Sequence, residues 1–326
     1  PEIDAVVGIA KNDDIVEIIN SVMLDKRVVT FGDKLCHNME GDKLQSTLPH
    51  YAYLRIADGC SNKCSYCAIP LIRGKMRSRK MENIIEEAKK FAENGVKELV
   101  IVAQDVTAYG IDLYKKYALP ELLKQLCKID GIKWIRLLYC YPERMTDELI
   151  ETIKTEDKVL NYIDIPIQHC NKEILRNMYR GGDEQSLREL FAKLRREIPD
   201  VVLRTTLITG FPGETEEQFS ELAEFVNDIK FERLGCFAYS AEEDTPAAEM
   251  PDQIDEGERQ RRADIITSEQ EIRMGEYYAG MVGNTYEVVC EGFDRYSDMY
   301  FGRSMHFAPE IDGMISVSYT HLRAHE

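Results

Sequence analysis

Between about residues 51 and 240 one pattern recurs: a short apolar or β-branched run, a polar turn, then a stretch of helical period. The runs Tyr51–Asp58, Glu98–Asp105, Trp134–Cys140, Tyr162–Gln168, Val201–Gly210 and Arg233–Ser240 are apolar almost throughout. Such runs mark strands covered on both faces, as in a parallel sheet. After the first run, Met81, Ile84, Ile85, Ala88, Phe91 and Ala92 fall on one helical face, and Gly95 supplies a stop. Another helix is expected to open at Thr215, with Gln218 completing a capping box and Phe219, Leu222, Ala223, Val226 and Ile229 forming its apolar stripe. Six such units imply right-handed crossovers and stop two short of a closed eight-stranded barrel. The expected fold class is α/β, an open six-unit βα barrel with its chemistry at the C-terminal strand ends.

The flanks carry weaker patterns. A strand (Ile3–Ile9) and a helix (Asp13–Met23) are too little to bury a core alone. Glu256–Tyr278 reads as a charged helix touching the barrel through Ile265, Ile266 and Ile272. Asn284–Ile315 alternates in short strands around Gly292, Gly302 and Gly313, the start of a small β-barrel. Ser316–Glu326 breaks that alternation and is expected to be a non-native tail, so His321 and His325 are not taken as ligands. The expected divisions are 1–24, a linker over 25–50, the barrel over 51–250, a helical connector over 251–281, the small β domain over 282–315, and the tail over 316–326.

Composition narrows the function classes. The chain has 326 residues, 44% of them hydrophobic and 30% charged, which suits a globular protein. It offers no apolar run of the roughly 20 residues that cross a bilayer, and its first residues show no basic signal-peptide start. The expected setting is the cytoplasm, with no membrane partner. A net charge of −17 repels phosphate backbones, so direct nucleic-acid binding is not expected and a basic protein partner is. One dense basic segment, Arg73-Gly74-Lys75-Met76-Arg77-Ser78-Arg79-Lys80, reads as a solvated loop, a cover over an anionic cofactor or an RNA contact. Of nine cysteines, Cys36, Cys127, Cys140, Cys170, Cys236 and Cys290 are scattered and read as buried small hydrophobes, not disulfides.

The other three lie in Asp58-Gly59-Cys60-Ser61-Asn62-Lys63-Cys64-Ser65-Tyr66-Cys67, just past the first strand. Thiols spaced C-x3-C-x2-C can hold three corners of a cubane iron–sulfur cluster and leave one iron open. Structural zinc would want a fourth ligand close by, and the next cysteines, Cys127 inside a helix and Cys140 in a strand run, follow only after about sixty residues or more. C-x3-C-x-aromatic-C after the first strand of a partial barrel resembles the radical S-adenosylmethionine superfamily. The resemblance implies a [4Fe-4S] cluster on Cys60, Cys64 and Cys67 whose open iron chelates the amino and carboxylate groups of S-adenosylmethionine. Reductive cleavage would then release a 5′-deoxyadenosyl radical. It also implies a place for Tyr66 near the adenine, although packing against the loop would explain that residue equally. Gln104 and Asp105 end the second strand, where the superfamily sets polar groups for the methionine amine. Gly210-Phe211-Pro212-Gly213-Glu214-Thr215 resembles its cofactor-binding turn, where glycines allow close backbone approach and a helix start offers free N–H groups. Arg204, Asp164 and Gln168 are expected at the same rim. No general base is identified.

A narrower resemblance rests on Tyr53–Met76, Val100–Gly110, Tyr162–His169, Leu203–Phe219 and Gly302–Gly313, which together look like the RimO-type methylthiotransferases. That family implies exchange of a Cβ hydrogen for a methylthio group on an aspartate of a small-subunit ribosomal protein. It further implies S-adenosylmethionine as both radical source and methyl donor, an electron donor such as flavodoxin or ferredoxin, and a C-terminal TRAM domain. Its N-terminal domain carries a second [4Fe-4S] cluster on three cysteines. Residues 1–24 resemble only the end of that domain, so the second cluster is expected only in a complete member, and this chain is expected to cleave S-adenosylmethionine without inserting sulfur. Two alternatives stand beside this reading. One is methylthiolation of a tRNA adenosine, disfavoured by Glu287, Glu291, Asp294, Asp298, Glu310 and Asp312 against only Arg295 and Arg303 in the last domain. The other is a non-catalytic iron–sulfur protein, for which a nucleoside pocket would be needless.

Overall fold

In the computed structural model residues 3–36, 38–41 and 44–318 are described. The chain starts with β1 (Ala5–Val7), passes a 3-10 turn into α1 (Ile15–Val22), and returns as β2 (Val28–Thr30), parallel to β1. The linker expected from residue 25 therefore begins later. Val28-Val29-Thr30 is a β-branched triplet, too short to show a period but well suited to an edge beside Ala5–Val7.

The barrel follows in chain order. Strand β3 (Tyr51–Arg55) is succeeded by β4 (Ala57–Asp58), α2 (Ile69–Arg73), β5 (Arg77–Ser78), α3 (Met81–Glu93), β6 (Glu98–Val102), α4 (Leu119–Leu126) and β7 (Trp134–Leu137). Then come α5 (Asp147–Thr155), β8 (Val159–Asp164), α6 (Lys172–Asn177), α7 (Glu184–Glu197), β9 (Val202–Thr209), α8 (Glu216–Ile229) and β10 (Arg233–Ala238). Strands β3, β6, β7, β8, β9 and β10 form one six-stranded sheet, each parallel to its neighbour. Strand β8 stops at Asp164 rather than Gln168. Pro166 has no N–H for a ladder, and Gln168 turns to φ 69°, leaving one isolated bridge to Leu207.

Alternation sorts the side chains into two layers. Leu54, Leu99, Ile101, Leu137, Ile163 and Leu203 face the helices and pack with Ile84, Leu122, Phe191 and Phe225. Tyr51, Val100, Trp134, Tyr162 and Val202 face the concave side and meet Ala308. An open barrel would leave that interior wet, and here residues 304–312 fill its lower half. Glu98, fully buried, receives Arg136 Nε at 2.7 Å and Arg303 Nη2 at 2.9 Å. Tyr51 and Tyr53 donate to Glu310 at 2.8 and 3.1 Å, and Tyr162 donates to Asp312 at 2.7 Å. Charges this deep persist because each has a partner.

Helix α9 (Glu256–Met281) crosses the far edge of the sheet, with Arg262, Ala263, Ile266 and Gln270 inward. Ile272, expected as a contact, faces solvent, because it lies off the face shared by those four residues. Strands β11 (Val289–Asp294), β12 (Met299–Arg303) and β13 (Ile315–Ser318) make an antiparallel sheet. Ser316–Ser318, expected to break the pattern, instead pairs with Met299–Phe301. His321 and His325 lie outside the described residues. Among the described residues no helix is long and apolar enough to cross a membrane. Cys140 and Cys170 are buried and Cys127 and Cys236 half-buried, but Cys36 and Cys290 are exposed, the first on a turn and the second on the short, one-sided sheet of β11.

Candidate metal and cofactor site

The cysteine loop is fastened at many points. Strands β4 and β5 pair antiparallel and close it at its base, Ala57 opposite Ser78 and Asp58 opposite Arg77. Gly59 sits at φ 76° where a Cβ would lie 2.4 Å from Lys75 O, so only glycine admits this crossing. Cys60 N donates to Gly74 O at 3.1 Å, and Ser65 is held by Asn177 O and Met178 O at 2.7 and 3.1 Å. Asn62 donates to Asp105 at 3.0 Å and accepts from Arg144 at 2.9 Å. The thiols thus project from a backbone whose position is set before any ligand binds, which is what preorganised metal sites require.

Cys60, Cys64 and Cys67 line one cavity of about 450 Å³ at the C-terminal rim of the sheet. Arg55, Gln104, Tyr139, Tyr141, Pro166, Gln168 and Arg180 complete most of its wall, drawn from the ends of four strands and the turns that follow. All three cysteines are free. Burial pushes the Cys60 thiol up to about 11 and raises Cys67 as well, so iron must displace their protons on binding. Three free thiols on the wall of one cavity are the donor set that an iron–sulfur cluster takes, since Cys thiolates hold its corners.

The other expected residues divide into two groups. Tyr66, Gln104 and Gln168 line the cavity with the cysteines. Burial holds the Tyr66 phenol well above its ordinary value, with the Arg180 guanidinium pulling against it. Asp105 stands behind the wall: it accepts from Asn62, from Thr107 at 2.5 Å and from Arg144 at 2.5 Å, and so positions the loop. Arg204 lies near the start of β9, below the rim, in a 2.7 Å pair with buried Asp164. It falls there because β9 runs on to Thr209 before the chain reaches the rim. Gly210, Gly213 and Glu214 build the turn after β9 and are absent from the cavity wall. Glu214 accepts from Gly210 N at 2.9 Å and Arg262 Nη1 at 2.8 Å, and Gly213 N donates to Asp252 O at 3.0 Å. That turn reaches the cavity indirectly, through Phe211, Tyr239 and Ile208, which cluster with Tyr66.

Four wall residues carried no signal in the sequence. Tyr141 stands 4.0 Å from Cys64 Sγ, with the guanidinium carbons of Arg144 and Arg180 at 4.7 and 4.2 Å from its ring centroid. Arg180 is buried and donates to Pro166 O at 2.8 Å. Arg55 comes from the concave face of β3. Cys140 is a fourth thiol in the wall, held well above its usual range by burial and then by Asp164 and Asp105. The basic segment at 73–80 is turned to internal use: Arg73 and Arg77 reach Asp58 at 3.2 and 3.8 Å, while buried Arg79 pairs with Glu40 and Glu87 at 2.5 and 2.6 Å.

Comparison with known proteins agrees with this geometry. Residues 54–226 match the Radical SAM superfamily and residues 282–324 match the TRAM domain. The chain is 49% identical to ribosomal protein uS12 methylthiotransferase RimO of Caldanaerobacter subterraneus subsp. tengcongensis, across 97% of this chain and 72% of that protein. It is 48% identical to the protein of the same name from Lachnoclostridium phytofermentans, over the same shares. Among solved structures, the radical S-adenosylmethionine methyltransferase TsrM of Kitasatospora setae superposes with a TM-score of 0.51 at 15% identity, over 61% of this chain and 38% of that one, a likeness of fold alone. The chain belongs to the Radical SAM superfamily and, within it, to the RimO-type methylthiotransferases.

Proposed function

We propose that this enzyme binds a [4Fe-4S] cluster through Cys60, Cys64 and Cys67 and methylthiolates the β-carbon of an aspartate in ribosomal protein uS12. The observation that carries the reading is three fixed cysteines sharing one rim cavity with Tyr66, Gln104 and Gln168. When bound, the cluster supplies the electron that splits S-adenosylmethionine into methionine and a 5′-deoxyadenosyl radical. The chain's own residues do the rest of the work of placement. Gln104 presents an amide whose buried oxygen has no partner within the described protein, an acceptor suited to the methionine ammonium group. Tyr66, walled by Ile174, Met178 and Phe211, offers an apolar flank to the adenine. Asp105, Asn62 and Arg144 keep the cysteine loop from shifting when ligand enters.

Charge supports a protein substrate over tRNA. Of the six acids between residues 286 and 312, Glu291, Glu310 and Asp312 are turned inward to His50, Arg303, Tyr51 and Tyr162. Arg303 is spent there too and Glu287 meets Lys133, which leaves Asp294 and Asp298 against Arg295 on the outer face, still acidic. Such a face repels RNA. The site of action would be the cytoplasm, with flavodoxin or ferredoxin as electron source. The reconstituted full-length enzyme, incubated separately with uS12 and with tRNA, should yield a product gaining one methylthio group on uS12 alone; modification of tRNA alone would overturn the assignment.

A further inference from the structure

The cavity wall has an unusual charge balance. Asp and Glu outnumber Lys and Arg in this chain by 58 to 41, yet no carboxylate lines the cavity and two guanidiniums do, those of Arg55 and Arg180. Their surroundings differ. Arg180 stands beside the cysteine loop, donates to Pro166 O at 2.8 Å, faces the ring of Tyr141 at 4.2 Å, and feels the phenols of Tyr66 and Tyr141 and the carboxylate of Glu143. Arg55 has almost none of this. Its side chain makes one contact of 3.5 Å to Met39 O and forms no ion pair with any described residue. The backbone beneath it is fixed, since Arg55 O accepts from Arg79 Nη1 at 2.7 Å. Parity along β3 sets its direction: Ala52 and Leu54 pack toward the helices, Tyr51 and Tyr53 toward the concave interior, and Arg55 follows the tyrosines. A half-buried guanidinium held over a cavity with no acid to meet it is costly unless an anion arrives to complete it.

Resting on the ribosomal-protein reading above, we infer that Arg55 receives the side-chain carboxylate of the substrate aspartate. The fork of an arginine binds a carboxylate through two parallel hydrogen bonds, which fixes both the position and the rotation of that group. Holding the carboxylate fixes the Cβ beside it, the carbon whose hydrogen is exchanged. Arg55 is a specificity-determining and positioning residue in this account, and it distinguishes aspartate from its isosteric amide.

The test is a binding cycle with two forms of one ligand. Anaerobically reconstituted enzyme with S-adenosylmethionine is titrated with fluorescently labelled uS12 and with uS12 whose target aspartate is replaced by asparagine. The unaltered enzyme should bind the aspartate form roughly tenfold to a hundredfold more tightly, the range for a hydrogen bond to a charged group. Arg55→Gln should bind the asparagine form as the unaltered enzyme does and lose the preference for aspartate. Arg55→Lys, with the charge but not the fork, should fall between. A full aspartate preference in Arg55→Gln, or none in the unaltered enzyme, overturns the inference. Should Arg55→Gln bind neither form, Arg55→Lys decides: a narrowed preference supports the inference and an undiminished one overturns it. If the unaltered enzyme binds neither form, the ribosomal-protein reading has failed and the inference falls with it.

Discussion

Glu214 and Arg262 form a buried ion pair, Oε1 to Nη1 at 2.8 Å, that ties the turn after β9 to helix α9. The other oxygen of Glu214 accepts from Gly210 N and Phe211 N at 2.9 and 3.4 Å, so one carboxylate both closes the turn and anchors the helix. Burial raises the Glu214 pKa, and the guanidinium opposes it. Glu214→Ala strands the Gly210 and Phe211 N–H groups and takes one carboxylate partner from buried Arg262. Removing one partner of such a pair costs about 3–5 kcal/mol, and the lower end is expected because Arg262 keeps Glu258 at 2.7 Å. Glu214→Gln keeps the acceptor and should lose less. Chemical denaturation reads both; equal midpoints for Glu214→Ala and the unaltered protein would dismiss the role assigned to the pair.

His169 sets a pH dependence on the same turn. It is fully buried, its Nδ1 accepts from Asn171 N at 2.9 Å, and its Nε2 lies 3.7 Å from Glu214 Oε2. Burial and then Arg262 lower its pKa from 6.5 to about 3. Above pH 6.5 neither folded nor unfolded chain protonates this ring, and its contribution is complete. Between pH 6.5 and 3 the unfolded chain binds a proton that the folded one refuses, so stability falls as pH falls. The limiting slope is about 1.4 kcal/mol per pH unit. His169→Gln should flatten this part of the stability profile; two parallel profiles would rule the histidine out as its source.

Each of Cys60, Cys64 and Cys67 is expected to be indispensable to the cluster, because three corners leave no redundancy. Replacement of any one by Ala should reduce iron well below about four per chain after anaerobic reconstitution. The electron paramagnetic resonance response to S-adenosylmethionine should vanish with it. Cys140→Ala, in the same cavity wall but outside the cysteine loop, should keep its iron. Full iron content in the Cys64→Ala protein would shift the fourth thiol into the ligand set.

Part of this is legible in local spacing alone. The cysteine loop needs only ten neighbouring residues to declare itself, and the six strands declare themselves by continuous apolar runs. What failed was non-local. Glu98 and Arg303 meet across a separation of 205 residues, so the filling of the lower barrel by residues 304–312 left no periodic trace. The run through Ile167 read as strand because it is apolar; Ile163, Ile165 and Ile167 are indeed buried, but past Asp164 they follow a bend around Pro166. Arg55 lies inside the expected strand Tyr51–Asp58, and only the fold shows that its face of β3 ends at the cavity. Arg180 and Tyr141 come together from separate turns, a meeting that only the fold creates.

Gly210 offers the most stringent check on how the turn after β9 supports the cavity. Its φ is 70°, a region where an L-residue costs about 1–2 kcal/mol. A Cβ there would also lie 2.2 Å from Arg259 Cγ and 2.9 Å from Arg259 Cα, so the backbone of α9 must retreat. Arg259 cannot simply swing away, since its Nη1 donates to Tyr239 O at 2.6 Å. Tyr239 meets Phe211 at a ring separation of 5.5 Å, and both belong to the cluster that flanks Tyr66. Gly210→Ala should therefore destabilise by more than the conformational cost alone and weaken S-adenosylmethionine binding, although no atom of Gly210 lines the cavity. Adding Arg259→Gly removes the obstructing Cβ and Cγ, and the double variant should recover part of the lost affinity in isothermal titration. Recovery of stability without affinity would sever the path from this turn to the cofactor.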